Sequence, residues 1–168
     1  MAIIGARIND VLSEAEFNTG GMSLAVGGRV NDRGKEYISV KVAAAQNIVN
    51  GNVCYIDGSN VATILTSGAP APAGTSGGLT LGVAVCSITA SASQYIFLQV
   101  YGQGSVRVTD TTASNLPNHI MVPGSTPGEL RGGAATASAY ISGITLTATA
   151  STATLSACFI NFPRMAIA

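Results

Sequence analysis

The chain has 168 residues and a formal net charge of zero, from eight basic and eight acidic side chains, with a single histidine. That length suits one compact domain with an extra segment, and the balanced charge excludes a long-range field that would gather nucleic acid or an anionic membrane. Ten of the sixteen charges fall within residues 1–41, and from Val42 onward only Asp57, Arg107, Asp110, Glu129, Arg131 and Arg164 remain, against about a quarter of residues in an ordinary soluble domain.

Met1 to Ala6 has no basic region and runs at once into Arg7 and Asp10, so no signal peptide is predicted. Residues 11–17 predict one or two helical turns capped by Asn9 or Asp10. Asn18-Thr19-Gly20-Gly21 and Gly27-Gly28 then break regular structure. Residues 1–35 therefore read as an arm lying over something else, with a purely local tail as the alternative, distinct from a domain at 36–168. Ile3, Ile4, Val11, Leu12 and Phe17 are its expected partner-binding anchors, because ordering a segment without a core costs about 1–2 kcal/mol per residue. Arg29, Arg33, Lys35 and Lys41 are interleaved with Asp32 and Glu36, which favours a solvated charged turn over a phosphate-binding patch.

From Tyr37 the pattern is one of short strands. Tyr37 to Val42 alternates with period two. Asn50-Gly51 is a hairpin signal leading into Val53 to Ile56, and Asp57-Gly58-Ser59-Asn60 turns the chain into Val61 to Leu65. Residues 67–78 hold too much Pro and Gly for helix or sheet. Further strands are predicted at Leu79 to Ile88, Tyr95 to Tyr101 and Ser105 to Thr109, the last two parted by Gly102-Gln103-Gly104. After a loop at 122–128, Tyr140 to Ala148 and Thr154 to Phe162 form a final pair. About eight strands with regular turns predict an all-β fold, a compact β-sandwich or small β-barrel with an extended N-terminal arm. Between Ala134 and Cys158, eighteen of twenty-five residues are Ala, Ser or Thr; such a small-residue face lets sheets or subunits approach closely. The uncharged stretch from Gly58 to Val106 is broken by Gly, Pro, Ser and Thr and predicts no membrane span.

Chemistry-bearing motifs fail one by one. His119, with Asp110 nine residues away, lacks a nucleophile elbow, since Gly102-Gln103-Gly104-Ser105-Val106 misses the closing glycine. Asp57, Asp110 and Glu129 are scattered singly, and no metal set of usual spacing assembles. Gly34-Lys35 is followed by Glu36 where a phosphate loop needs Ser or Thr. Tyr95, Phe97 and Tyr101 share a strand face, but with only Arg107 nearby they read as core rather than as a base-stacking platform. Cys54, Cys86 and Cys158 are predicted as buried free thiols of a chain made in a reducing cytosol. No catalytic residue, cofactor or metal is expected.

Two stretches carry a resemblance. Asn31-Asp32-Arg33-Gly34-Lys35-Glu36-Tyr37-Ile38-Ser39-Val40-Lys41-Val42 leads into Ile48-Val49-Asn50-Gly51-Asn52-Val53. Leu81-Gly82-Val83-Ala84-Val85 is followed by Tyr95-Ile96-Phe97-Leu98-Gln99-Val100-Tyr101-Gly102-Gln103-Gly104-Ser105-Val106. Together with the closing Ala157-Cys158-Phe159-Ile160-Asn161-Phe162-Pro163, these resemble the head-decoration or capsid cement proteins of tailed phages. The resemblance implies a non-enzymatic structural virion protein of a bacteriophage, made in the host cytoplasm and placed on the capsid exterior. It would stabilise the shell at subunit junctions, with the major capsid protein and its own copies (a homotrimer) as partners and no nucleic acid or membrane. A tail, collar or fibre domain is the alternative, with a hydrolase built on His119 further behind.

Overall fold

A computed structural model describes residues 8–19, 25–43, 46–67, 79–89, 94–109, 120–133, 139–148 and 155–167. Among these, β1 (Leu12–Ser13) and α1 (Glu14–Thr19) precede β2 (Arg29–Asp32), β3 (Lys35–Val42), β4 (Val53–Ile56) and β5 (Val61–Ile64). Then come β6 (Leu79–Ala84), β7 (Gln94–Arg107), β8 (Met121–Pro123), β9 (Leu130–Gly132), β10 (Ala139–Leu146) and β11 (Leu155–Ile167). The fold is all-β, with eleven strands among the described residues where the turn signals predict about eight.

Five strands close on themselves. β3 pairs with β7, β7 with β6, β6 with β4 and β4 with β5, all antiparallel, and β5 returns to β3 in parallel. This is a small barrel, and every other residue points into it: Ile38, Val40 and Val42 from β3, Cys54 and Ile56 from β4, Ile96, Leu98 and Val100 from β7. The opposite face of its β4–β6 wall carries Val53, Leu81 and Val83, which join Val106, Met121, Leu130, Ile141, Ile144, Cys158 and Ile160 in a second core. The β8–β11 strands thus cover one side of the barrel. A wall buried on both faces explains why Val53-Cys54-Tyr55-Ile56 is an unbroken apolar run rather than an alternating one. Each such aliphatic side chain contributes about 1.5–3 kcal/mol on full burial.

Several expectations are corrected. Residues 95–101 and 105–109 are not separate strands: β7 runs unbroken through Gly102-Gln103-Gly104. Its two halves serve different partners, residues 95–101 pairing with β3 and 101–107 with β11. Gly102 has φ +97°, and a Cβ there would stand 2.7 Å from the Gly34 carbonyl oxygen; the glycine is needed for a bend, not a turn. Buried Gln99 supports that bend by donating from Nε2 to the carbonyls of Tyr101 (3.1 Å) and Gln103 (2.9 Å). Asn50-Gly51 does form a turn, with Asn52 N–H donating to the Val49 carbonyl at 2.9 Å. It joins no hairpin, because β5 lies between β3 and β4.

At the N-terminal end, the helix is capped by Ser13, not by Asn9 or Asp10. The Ser13 backbone N–H donates to Glu16 Oε2 at 2.9 Å and Glu16 N–H donates to Ser13 Oγ at 3.3 Å, a capping box. β2 pairs with β3 across Arg33 (φ 48°) and Gly34 (φ +77°), the two positive φ values of a hairpin turn whose twist matches its strands. The boundary read at residue 35 therefore falls inside a hairpin, and β2 belongs to the sheet. The last strand continues past Phe162 to Ile167, through a bulge described below.

Candidate interaction surface

The outward face of β7, β11 and β10 follows from their register. Leu155 pairs with Arg107, Ala157 with Ser105, Phe159 with Gln103 and Asn161 with Tyr101; on the other edge Phe159 pairs with Thr145. Along β11 residues alternate out and in: Leu155, Ala157 and Phe159 are exposed, whereas Ser156, Cys158 and Ile160 are buried. Residues 101–107, 144–147 and 155–161 carry one charged side chain, Arg107, and its Nε donates to the Asn50 carbonyl at 3.1 Å. The middle of the face is therefore Ser, Thr, Ala and Gln.

One corner of this face is aromatic. Tyr101 meets Phe159 edge-on (centroids 5.6 Å) and stacks with Phe162 (5.5 Å), yet the three remain 37%, 39% and 43% exposed. Phe162 reaches this position through its backbone. Between the pairs Ser142↔Arg164 and Ile144↔Ile160, Gly143 alone stands opposite Asn161, Phe162 and Pro163. Phe162 takes φ 44°, unusual for a residue with a Cβ. Pro163 has no N–H to give a ladder and is tolerated in a strand at such a bulge. The guanidinium of Arg29 lies 5.6 Å from the Phe162 ring centroid and is ion-paired with Glu36.

Beside Phe162 three strands part. β6 pairs with β7 at Val83↔Gln99, with β11 at Thr80↔Arg164, and β7 meets β11 at Tyr101↔Asn161. The interval between these pairings is a cleft of about 140 Å³. Leu81, Val100 and Ile38 form its apolar lining, Thr80 and Phe162 its sides, and Arg29 and Arg164 its charged rim.

The sequence-predicted anchors lie elsewhere. Ile3 and Ile4 fall outside the described residues, as do His119 and Asp110. Val11 packs against the barrel core, Leu12 pairs with Tyr95 of β7, and Phe17 stacks on Tyr95 with centroids 4.2 Å apart and planes 8° from parallel. Lys41 Nζ, 5.8 Å from the same ring, also stands 4.0 Å from Glu14 Oε1. In this structure these three anchors hold the segment to its own chain. The basic cluster does not converge: Lys35 and Lys41 lie at opposite ends of β3, roughly 20 Å apart at 3.3 Å per residue. Asp57 serves its own turn, Oδ1 accepting from Ser59 N–H (2.8 Å) and Val61 N–H (2.9 Å).

Tyr95 and Phe97 are buried as expected of core, but Tyr101 is exposed. Sequence reasoning missed it and Phe162; Pro163 inside an apolar run was the available signal for a bulge. Cys54, Cys86 and Cys158 are buried free thiols. Burial pushes Cys54 up to about 12, with Cys86 adding to it; burial and then Asp10 push Cys86 up to about 11; burial pushes Cys158 up to about 12. Among the described residues no three His, Cys, Asp or Glu side chains are grouped to hold a metal ion, and no helix is long and apolar enough to cross a membrane. No protein-family model and no curated protein matches this chain.

Proposed function

We propose that this chain is a structural virion protein of a tailed phage that binds the outside of the capsid at subunit junctions, as a trimer, and reinforces the shell. The observation that carries the reading is the outward face of β7, β11 and β10, nearly free of charge and ending in the exposed Tyr101–Phe159–Phe162 cluster. Exposed aromatic side chains grouped on one face mark interaction surfaces. Small side chains in the middle let a partner sheet or loop approach closely. Such docking rests on about 25 cal/mol per Å² of apolar area removed from water, less the cost of association, and is weakly screened by salt. The major capsid protein is the partner, and no step of chemistry is required.

The test is to count copies per particle and to heat particles with and without the protein. Hundreds of copies and a lower rupture temperature for bare shells support decoration. A few tens of copies would instead indicate a tail, collar or fibre part, and equal rupture temperatures would remove the reinforcing role.

A further inference from the structure

We infer that Asp57-Gly58, in the turn between β4 and β5, is a site of spontaneous backbone modification in the folded chain, converting through a cyclic imide to an isoaspartyl linkage. The fold holds the intrinsically faster pair, Asn50-Gly51, inert. This chemistry is independent of the function proposed above.

The chain has one Asn-Gly and one Asp-Gly pair. A glycine in second place leaves its backbone nitrogen unshielded by a Cβ, so that nitrogen can attack the preceding side-chain carbonyl carbon. In a flexible chain at neutral pH, the amide of Asn loses ammonia faster than the carboxyl of Asp loses water. Here the surroundings reverse that order.

Gly51 is buried and pinned on both sides. Its N–H donates to the Ala84 carbonyl at 2.8 Å, and its carbonyl accepts from the Arg107 N–H at 2.9 Å. Asn50 is held too, its N–H donating to Ser87 Oγ at 2.9 Å and its carbonyl accepting from Arg107 Nε at 3.1 Å. Attack on Asn50 Cγ would strip the buried Gly51 N–H of its acceptor, which is unfavourable. Asp57, Gly58 and Ser59 are exposed, and nothing lies within 4 Å of the point a Cβ on Gly58 would occupy. The N–H groups of Asp57, Ser59, Asn60 and Val61 all donate within this turn, whereas that of Gly58 has no acceptor among the described residues. Asp57 Oδ1 accepts from Ser59 and Val61, an Asx turn that folds the carboxyl back over the next peptide. Such positioning favours ring closure, and Oδ2 is left as the oxygen to depart.

The step needs no oxidant or cofactor. The Gly58 nitrogen bonds to Asp57 Cγ, the Cγ–Oδ2 bond breaks, and Oδ2 leaves as water with the amide proton and the carboxyl proton. A second water opens the imide. Attack at Cγ restores aspartate, and attack at the main-chain carbonyl carbon leaves the chain running through Cβ and Cγ. The extra backbone atom disturbs the register beside it, where Ala62 pairs with Ile56 of β4 and with Val42 of β3 to close the barrel.

The experiment incubates the full chain, folded or in urea, at neutral pH and physiological temperature. Chymotryptic cleavage at Tyr55 separates the two pairs, which are followed by mass spectrometry and by enzymatic methylation of isoaspartyl carboxylates. In the folded chain, methylation should accumulate at position 57 while Asn50 keeps its amide; in urea, Asn50 should lose ammonia at least tenfold faster than when folded. Gly58→Ala, which meets nothing and calls for no left-handed backbone, should cut methylation at position 57 at least tenfold. Asp57→Asn sets the same amide chemistry in both surroundings of one molecule, and position 57 should lose ammonia at least tenfold faster than Asn50. No methylation at position 57 in the folded chain, equal loss from Asn50 folded and unfolded, an unaffected Gly58→Ala, or equal loss at both positions of Asp57→Asn would each overturn the inference. Amide exchange in β5 should be at least fivefold faster in the modified fraction, and unchanged exchange would refute the effect on the barrel.

Discussion

Gly143 and the Asn161 carbonyl oxygen approach so closely across β10 and β11 that a Cβ at position 143 would lie 2.3 Å from that oxygen. Gly143 also has φ +78°. The bulge that presents Phe162 therefore depends on a missing side chain on the neighbouring strand. Gly34 offers the comparison, with φ +77° but no atom within 4 Å of the point a Cβ would occupy.

Gly34→Ala should cost about 1 kcal/mol, the penalty for a left-handed backbone alone. Gly143→Ala should cost about 3 kcal/mol or more, because backbone must move as well. Urea unfolding measures both, and hydroxyl-radical labelling of Phe162 should change only in Gly143→Ala. Equal costs for the two would show that the bulge is not held by this contact.

Phe17 and Tyr95 provide the second prediction. Their stacking, with the Ser13–Glu16 box, holds residues 8–19 on β7. An aromatic pair contributes about 0.5–1.5 kcal/mol beyond its area, and a capping serine about 1 kcal/mol. Phe17→Ala and Ser13→Ala should each speed proteolysis within residues 8–19 several-fold while the barrel strands keep their amide protection. Loss of protection throughout β3 and β7 would mean that this segment is part of the cooperative core.

The barrel is largely legible in the sequence because its strands obey simple patterns. Tyr37 to Val42 alternates, Asp57 to Asn60 is a turn built by an Asp side chain, and Val53 to Ile56 is an apolar run. What is hidden depends on tertiary partners. Gly102-Gln103-Gly104 has the composition of a turn, yet it lies within β7 because the strand changes neighbours there and Gln99 satisfies the carbonyls. Arg29–Asp32 is polar and lies at the sheet margin, paired only through β3, so no hydrophobic period marks it. The exposed cluster is hidden for a related reason: Phe162 faces outward through a left-handed backbone that no local rule assigns to phenylalanine. Leu12 and Phe17 stand out by hydrophobicity alone, which does not distinguish docking on a neighbour from docking on Tyr95 of the same chain.

The thiols give a pH prediction. Cys158, raised by burial to about 12, ionises near 8.5 in an unfolded chain. Since the folded value is the higher one, the stabilisation is fully present below about pH 8.5 and is lost as pH rises towards 12, by up to about 1.4 kcal/mol per pH unit for each thiol. Cys158→Ala should be less stable than wild type by about 1–2 kcal/mol at pH 7, and the gap should shrink between pH 8.5 and 10.5. Urea midpoints under reducing conditions would show this; a gap independent of pH would contradict the protonated, buried thiol.

The central claim is that the nearly uncharged outward face of β7, β11 and β10 docks on the shell. Ala157 lies exposed in its middle, paired with Ser105, and Ser67 is exposed outside it. Both Ala157→Asp and Ser67→Asp are surface changes expected to alter stability by no more than about 0.5 kcal/mol. The decisive measurement is the rupture temperature of particles carrying wild type, Ala157→Asp or Ser67→Asp, at low and at high salt. Wild type and Ser67→Asp should protect the shell equally at both salt concentrations, and Ala157→Asp should leave it as fragile as a bare shell. Full protection by Ala157→Asp, or release of wild type by salt alone, would contradict the claim.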